Sequence, residues 1–297
     1  MHIPLAAVVV AVIINILWGA NPVAVKIALE AFPPLTSAFI RFAIGVVCIA
    51  LWAAIERTRL WPRRGEWLGL IILAGLFATQ IGVMNWGINL TSGADAAVLT
   101  ATFPLFAALF AHFMIAGDQL SPGKVTGLAI AFVGVGVVLT GGQVPTGLSL
   151  ADVGNLLMIC SALLLGGRMI FTARLVSKID PTRVVIWQML LALGAFAAGA
   201  ATFETIAWDR VGWRPLGALV YQGVVIAGLG FMVNAWLIKR YSPSVVVSFG
   251  FISPIFGVLL SNLLLGDRLT WDLAVGTVAV GVGLVVLARQ AQRRPEA

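Results

Sequence analysis

The sequence predicts an all-α integral membrane protein, with ten transmembrane helices in two inverted five-helix repeats around a central cavity. Composition gives the first reason, because 60% of the 297 residues are hydrophobic, 10% are charged and the mean hydropathy is +1.03. Soluble domains are about half apolar and about a quarter charged. The apolar residues also form long runs between short polar loops, as successive bilayer spans do. Finally, the second half of the chain repeats motifs of the first half.

Ten apolar runs are long enough to cross a bilayer, which takes about 20 residues of helix. The first run continues past Asn21, and no Lys or Arg precedes it. A cleaved signal peptide begins with positive charge, so we expect this run to remain as the first helix. The predicted spans, numbered one to ten, cover residues 4–29, 34–55, 66–89, 94–115, 122–140, 151–175, 182–203, 214–238, 243–265 and 270–289.

The distribution of positive charge predicts the orientation. If both termini are cytoplasmic, 13 of the 19 Lys and Arg residues lie in inner loops or the tail, and 3 lie in outer loops. Cytoplasmic loops carry the excess of Lys and Arg in membrane proteins. We therefore expect both termini in the cytoplasm, with 290–297 as a short tail. The same bias accounts for the net charge of +7 without a nucleic-acid partner.

Motifs recur at an offset of 148–150 residues. The string Gly-Asp-Gln-Leu-Ser at 117–121 reappears as Gly-Asp-Arg-Leu-Thr at 266–270, within an ordered set of matches. Such a set indicates duplication. We expect one five-helix unit at 4–140 and a second at 150–289. Because five is odd, the second unit enters the membrane in the opposite direction, and inverted repeats are typical of transporters with a substrate site between the halves.

These residues carry a resemblance to a known family. Span one holds Leu-Trp-Gly-Ala-Asn at 17–21 followed by Lys26, and span two opens with Pro34 and Arg41. The Gly-Asp strings then precede spans five and ten. Over nearly its whole length the chain resembles the drug/metabolite transporter (DMT) superfamily, in particular its ten-helix EamA-type, YddG-like exporters of amino acids and metabolites. That family usually has Glu where both strings here have Asp.

The resemblance implies a basket of helices around a central cavity, with spans five and ten as a supporting pair. It also implies a bacterial inner-membrane protein that moves its substrate outward. The sequence contains no Walker loop, nucleophile elbow or cluster of His and Cys ligands. We therefore expect no enzyme activity, no cofactor and no metal site.

The predicted spans contain no Asp or Glu near their middle. Carriers driven by protons or sodium ions usually place a carboxylate at depth, because it binds the coupling ion. We therefore expect uniport-like transport, without a buried carboxylate for proton coupling.

Three basic side chains do lie inside predicted spans: Lys26, Arg41 and Arg168. A charge at such depth costs about 2.5–3.5 kcal/mol or more and tends to face a cavity or a partner. Deep positive charge favours a substrate with a carboxylate, which Arg binds through two hydrogen bonds. We therefore expect a zwitterionic or anionic, carboxylate-bearing substrate. Alternatively, the arginines bond to carbonyls at helix breaks or reach the headgroups.

Other polar and aromatic side chains within the spans either line the cavity or bond and pack between helices. Besides the three basic residues, the cavity candidates are Trp18, Asn21, Gln80, Met84, Trp86, Thr102, Trp187, Gln188, Gln222, Ser248, Phe251 and Ser253. Proline removes a backbone donor and kinks a helix. Pro22, Pro104 and Pro254 are therefore hinge candidates, with static kinks as the alternative.

The leading functional hypothesis is a secondary transporter that works by alternating access. It would export amino acids, aromatic or other apolar ones among them, or related small metabolites across the inner membrane. The alternatives are a nucleotide-sugar, sugar-phosphate or drug carrier of the same superfamily, or a channel. The expected partners are a small-molecule substrate and the lipid bilayer, and the oligomeric state stays open, with a monomer plausible.

Overall fold

The computed structural model describes residues 4–115, 119–140, 149–233, 237 and 249–292, with the backbone alone at 291 and 292. Helices occupy most of these residues. In chain order they are α1 (Leu5–Ala28), α2 (Pro34–Ile55), α3 (Trp67–Leu90), α4 (Gly93–Thr100), α5 (Phe103–Met114), α6 (Pro122–Thr140), α7 (Leu150–Val176), α8 (Pro181–Phe203), α9 (Trp213–Val220), α10 (Ile252–Leu265) and α11 (Trp271–Gln292).

The predicted membrane fold is confirmed. Within the described ranges, nine helical stretches are long and apolar enough to cross a bilayer, and Phe249–Leu265 is a shorter apolar helix. We call the end of the bundle with the α1–α2 connection the outer end, and the end with the α2–α3 connection the inner end. These names follow the predicted orientation, which stays a prediction.

Several helix starts follow local sequence signals. Ser92 and Ser149 cap α4 and α7 by accepting from the backbone N–H groups of Asp95 and Asp152, and Asp180 caps α8 in the same way. Such caps satisfy N–H groups that the first turn of a helix leaves without an intrahelical partner. Each of these helices therefore begins within one residue of the start predicted from the sequence.

Span four is confirmed as one apolar stretch over Gly93–Met114, but its helix is interrupted and consists of α4 and α5. Two residues separate α4 from α5, and Pro104 is the second residue of α5. Proline cannot donate to the carbonyl four residues earlier, but it suits a first turn, where no such bond is needed. Thr102 lies at the break, and its hydroxyl donates to the carbonyl oxygen of Leu99 at 2.6 Å.

Span eight also departs from a plain α-helix. At its inner side α9 passes into a π-helix at Tyr221–Gly230, a rare geometry that is frequent at functional sites. Glycine lets α2 approach this segment closely, because a Cβ atom added to Gly223 would lie 2.6 Å from Cβ of Ile44. The π-helix thus packs against α2, and Gln222 at its start reaches both α1 and α2.

The last helices of the two repeats, α6 and α11, cross closely in opposite directions. Gly127 lies against Gly283 and Gly134 against Gly276, so residue numbers rise along α6 as they fall along α11. A Cβ atom added to any of the four would lie 2.9 Å or less from its partner's carbonyl oxygen. Small residues allow such close backbone packing in membranes. Because α6 and α11 are equivalent members of the repeats, their opposite directions confirm the inverted arrangement.

The apolar core joins both repeats. Its main cluster contains buried side chains from the first repeat, such as Phe42 and Phe77, and from the second, such as Met189 and Phe196. Non-polar side chains from α2, α3 and α8 therefore meet in the middle of the bundle, where Arg41 and Arg168 also lie.

Adding a side chain at the α6–α11 crossing tests this packing. We expect Gly134→Val to lower the free energy of unfolding by about 1–3 kcal/mol, the usual cost of overpacking. Gly136→Val is the matched control on the same helix, because a Cβ atom there meets no other atom within 4 Å. A change at such an open position stays within about 0.5 kcal/mol. Thermal unfolding in detergent compares the variants, and equal midpoints would contradict the close crossing.

Candidate functional site

Arg41 lies buried in α2, with 3% of its surface exposed. Its Nη1 donates to Oε1 of Gln222 at 3.0 Å, and its Cζ lies 4.5 Å from the ring centroid of Phe42. Gln222 is held in turn, because its Nε2 donates to the carbonyl oxygen of Ala24 at 3.1 Å. The Nε of Arg41 has no hydrogen-bond partner among the described residues. The structure thus brings two of the predicted site residues, Arg41 and Gln222, into one group.

Arg168 is the second buried guanidinium group, with 7% of its surface exposed. Its Cζ lies 4.8 Å from the ring centroid of Phe77, and its Nε lacks a partner in the part of the chain that the structure describes. Arg168 is near enough to Arg41 for the two charges to repel each other. Buried charges are normally paired, because removal from water is costly. These two groups therefore form a site that is short of negative charge.

Three phenylalanine rings support the two guanidinium groups. Phe42 and Phe77 meet edge to face with ring centroids 4.7 Å apart, and Phe196 stacks on Phe42 at 6.0 Å. A cation over an aromatic face gains about 0.5–2 kcal/mol, which offsets part of the cost of burial. Sequence reasoning misses these rings, because a phenylalanine in a spanning helix resembles any other apolar residue. Phe42 directly follows Arg41 in the sequence, and this position is a weak signal that its ring lies beside the guanidinium group.

A second polar contact joins α3 to α7 near the arginines. Nε2 of Gln80 donates to Oγ of Ser161 at 2.9 Å and lies 3.9 Å from the sulfur of Met84. Ser161 is two turns from Arg168 along α7. The side-chain oxygens of Gln80 and of Gln188 are buried without a donor in the described ranges. These predicted residues therefore add unpaired acceptors to the interior of the bundle.

The interior has one sign of charge. Of the buried residues within the described ranges, none is Asp or Glu, whereas Arg41, Lys124, Arg168 and Arg183 are all buried. Arg183 has an acidic partner at the inner end, described below. The pair in the middle of the bundle has none there, so an anion that neutralises Arg41 and Arg168 has to come from outside the described interior.

Lys26 is engaged differently from the two arginines. Its Nζ donates to the carbonyl oxygens of Ile88 at 2.9 Å, Asn89 at 2.9 Å and Thr91 at 2.6 Å. These carbonyls close the end of α3, where the helix dipole is negative. Because all three hydrogens of the ammonium group are used, this geometry favours a capping role over the predicted substrate contact.

The three tryptophan candidates lie in different places. At the inner end, Nε1 of Trp187 donates to the carbonyl oxygen of Leu60 at 2.7 Å, within a group of edge-to-face tryptophans. Trp86 is 45% exposed on α3. Trp18 is half-buried and packs against Gly230 of the π-helix. Of the three, Trp18 is placed between the repeats, and the contacts of the other two suit a structural role.

The remaining cavity candidates make helix contacts. The carbonyl oxygen of Ser253 lies against Gly19, Phe251 packs against the main core, and Oδ1 of Asn21 is buried without a donor among the described residues. Ser248 lies outside the described residues. The structure therefore bonds Arg41 to Gln222 and Gln80 to Ser161, and it places Arg41 and Arg168 over the rings of Phe42 and Phe77.

The three prolines fall into two kinds of position. Pro22 is buried inside the continuous helix α1, where the hydroxyl of Tyr221 donates to the carbonyl oxygen of Leu17 at 2.6 Å. Pro104 and Pro254 lie in the first turns of α5 and α10. Equivalent prolines thus begin equivalent helices in the two repeats. A hinge role for the three stays a prediction.

Both ends of the α2–α8 pair carry polar contacts that sequence reasoning misses. At the inner end, Nη1 of Arg183 donates to both carboxylate oxygens of Glu66 at 2.9 and 3.0 Å, and its Nε and Nη2 donate to the carbonyl of Arg59. At the outer end, Glu204 accepts from two backbone N–H groups at the start of α2, at 2.7 and 2.8 Å. We call these contacts the inner clasp and the outer clasp.

Two cavities open away from the buried arginines. One of about 360 Å³ is lined by four aspartates, among them Asp95 and Asp267. Another of about 640 Å³ lies between α2 and α8 beside Phe39 and Glu204. Neither of these two cavities is lined by Arg41, Arg168 or Gln222, and all three residues are buried.

Comparisons with known proteins cover nearly the whole chain. The chain is 26% identical over 286 residues to a probable amino-acid metabolite efflux pump of Escherichia coli (strain K12). The alignment covers 94% of this chain and 93% of that protein. It is 26% identical over 290 residues to the uncharacterized inner membrane transporter YedA of the same strain, covering 92% and 88%. The uncharacterized transporter YoaV of Bacillus subtilis (strain 168) is 21% identical over 272 residues, covering 91% and 92%.

A solved crystal structure has the same fold, with a TM-score of 0.71 at 21% identity, over 97% of this chain and 99% of that one. The model of the EamA-like transporter family matches residues 5–140 and again residues 152–289. Because both halves match, this chain belongs to the EamA-like transporter family, and it is a multi-pass membrane transporter rather than an enzyme.

Proposed function

We propose that this transporter exports amino acids or related carboxylate-bearing metabolites across the bacterial inner membrane. The observation that carries the proposal is the pair of buried guanidinium groups, Arg41 and Arg168, each with an Nε that lacks a partner in the described chain. An unpaired buried charge is costly, and a carboxylate binds a guanidinium group through two parallel hydrogen bonds. A carboxylate substrate thus supplies the interaction that these arginines lack.

The surroundings of the arginines suit the rest of such a substrate. The rings of Phe42, Phe77 and Phe196 offer apolar surface beside the two charges. The relative from Escherichia coli that is named a probable amino-acid metabolite efflux pump supports the same class of substrate. Ligand sites are usually mostly apolar, with a few placed polar groups that fix the orientation.

Transport in this proposal is uniport-like. Proton coupling through the interior needs a group that gains and loses charge during the cycle, and membrane carriers usually use a deep carboxylate. The buried residues in the described ranges include no Asp or Glu. The substrate gradient itself therefore drives export.

The inverted repeats and the two clasps support alternating access as the mechanism. Inverted repeats exchange conformations, so that the site opens to one side and then to the other. The inner clasp joins the start of α8 to the α2–α3 connection, and the outer clasp joins the end of α8 to the start of α2, so each joins an element of the first repeat to one of the second. In the proposed cycle, one clasp breaks while the other holds.

Removal of the Arg168 charge tests the carboxylate contact. We expect Arg168→Gln to lower liposome uptake of amino acids by about tenfold or more, because a hydrogen bond to a charged group contributes about 1.5–3 kcal/mol. Uptake of the corresponding decarboxylated amines should change much less. Arg174→Gln on the same helix is the control, since Arg174 is exposed and bonds to the carbonyl of Met114. Equal losses for acids and amines would assign Arg168 a structural role.

The absence of proton coupling is tested in reconstituted liposomes. Net uptake of a labelled amino acid down its gradient should proceed at equal internal and external pH without proton movement, because no buried acid is needed to complete the cycle. It should also saturate with substrate concentration, as a carrier does and an open channel does not. A change of internal pH that accompanies this uptake would show that a proton site exists elsewhere in the chain.

A further inference from the structure

We infer that the preferred substrate carries two carboxylates, one for each buried guanidinium group. The inference rests on the proposed function and narrows its substrate class to dicarboxylates, which should be favoured over monocarboxylates of the same size. Its basis is that Arg41 and Arg168 stand on different helices, that each has a free donor edge, and that the described interior offers neither of them an acid.

The free edge of Arg41 is the one that binds carboxylates. In a guanidinium group, Nε and Nη2 lie side by side, and their parallel N–H bonds match the two oxygens of a carboxylate. Arg41 is held from its other side, because Nη1 donates to Gln222 and Gln222 is fixed to the carbonyl of Ala24. Nε is left without a partner. The edge is therefore fixed in direction before any ligand arrives.

Arg168 offers a second edge of the same kind. Its guanidinium group packs over the ring of Phe77 and makes no hydrogen bond to any described residue. Arg168 belongs to the second repeat and Arg41 to the first. Arg41 lies over the ring of Phe42 and Arg168 over the ring of Phe77, and these two rings meet edge to face with centroids 4.7 Å apart. One carboxylate on each arginine would leave an apolar spacer against these rings.

The charge balance favours two negative charges over one. The third deep cation, Lys26, already has partners, because its ammonium group donates to three carbonyl oxygens. Arg41 and Arg168 have no such compensation and repel each other. A monocarboxylate would neutralise one of them and leave the other buried and unpaired, which is costly. A dicarboxylate neutralises both.

The arrangement of the donors distinguishes two carboxylates from one phosphate group. A phosphate monoester also carries about two negative charges, but it concentrates them on a single phosphorus centre. Here the two donor edges come from α2 and α7, and each stacks on a different ring. Two separate planar carboxylates match the donor edges of two separate guanidinium groups. Phosphate monoesters therefore serve as the competing class in the test.

The test is a competition experiment with the full-length wild-type protein in liposomes. Counterflow of radiolabelled glutamate is measured against unlabelled glutamate, glutamine and O-phosphoserine. Glutamate and glutamine have the same size and differ by one carboxylate. We expect glutamate to compete at a concentration at least about tenfold lower than glutamine, as the loss of one charged hydrogen-bonded contact predicts. We also expect glutamate to compete better than O-phosphoserine.

Variants then assign the effect to the arginines. Arg168→Gln should remove most of the advantage of glutamate, so that glutamate and glutamine compete at concentrations within about threefold of each other. Arg168→Lys keeps the positive charge but lacks the two parallel N–H donors of a guanidinium group, so it should retain part of the advantage of glutamate over glutamine. Arg174→Gln is the control that should leave the ratio unchanged. Size-exclusion profiles check folding, and the wild-type comparison stands even where a variant fails to fold.

The outcomes separate this inference from the proposed function. Equal or better competition by glutamine would overturn the dicarboxylate class and leave carboxylate export intact. Stronger competition by O-phosphoserine would overturn it in favour of a phosphate dianion. Transport of decarboxylated amines with no competition by any carboxylate would overturn both proposals together.

Discussion

Two positive charges inside the lipid-spanning bundle constrain the rest of this transporter. Arg41 and Arg168 are buried where no bulk water reaches, so every donor needs a partner within the protein or from a ligand. The protein supplies aromatic faces from Phe42 and Phe77, and it supplies one amide from Gln222. It supplies no buried acid in the described interior. The interaction that is missing is the one that a carboxylate provides, which connects the burial of these side chains to transport.

The inverted repeats explain how one buried site can serve both faces of a membrane. The antiparallel crossing of α6 and α11, with glycine against glycine, fixes the two repeats to each other. Away from that crossing, the α2–α8 pair is joined at its two ends by clasps of different chemistry. An ion pair closes the inner end, and a carboxylate at a helix N-terminus closes the outer end. In the proposed cycle, the two repeats rock about this crossing while one clasp breaks and the other holds.

Sequence reasoning recovers what depends on hydropathy and on residue types taken one at a time. It predicts the spans, the duplication, the deep arginines and the lack of deep acids. It misses features set by contacts between distant segments. The carbonyls that bind Lys26 lie more than sixty residues away, at the end of α3. The hydropathy pattern also gives no sign of the helix break before Pro104 or of the π-helix at Tyr221–Gly230. The rings beside the arginines carry no signal of their own in an apolar sequence.

The most direct measurement is an experimental structure of the full-length protein in lipid nanodiscs with a saturating carboxylate substrate. The account predicts carboxylate oxygens within about 3 Å of Nε of Arg41 and of Arg168, with Gln222 still bonded to Arg41. A substrate bound elsewhere, with both Nε atoms donating to backbone carbonyls or trapped water, would contradict it.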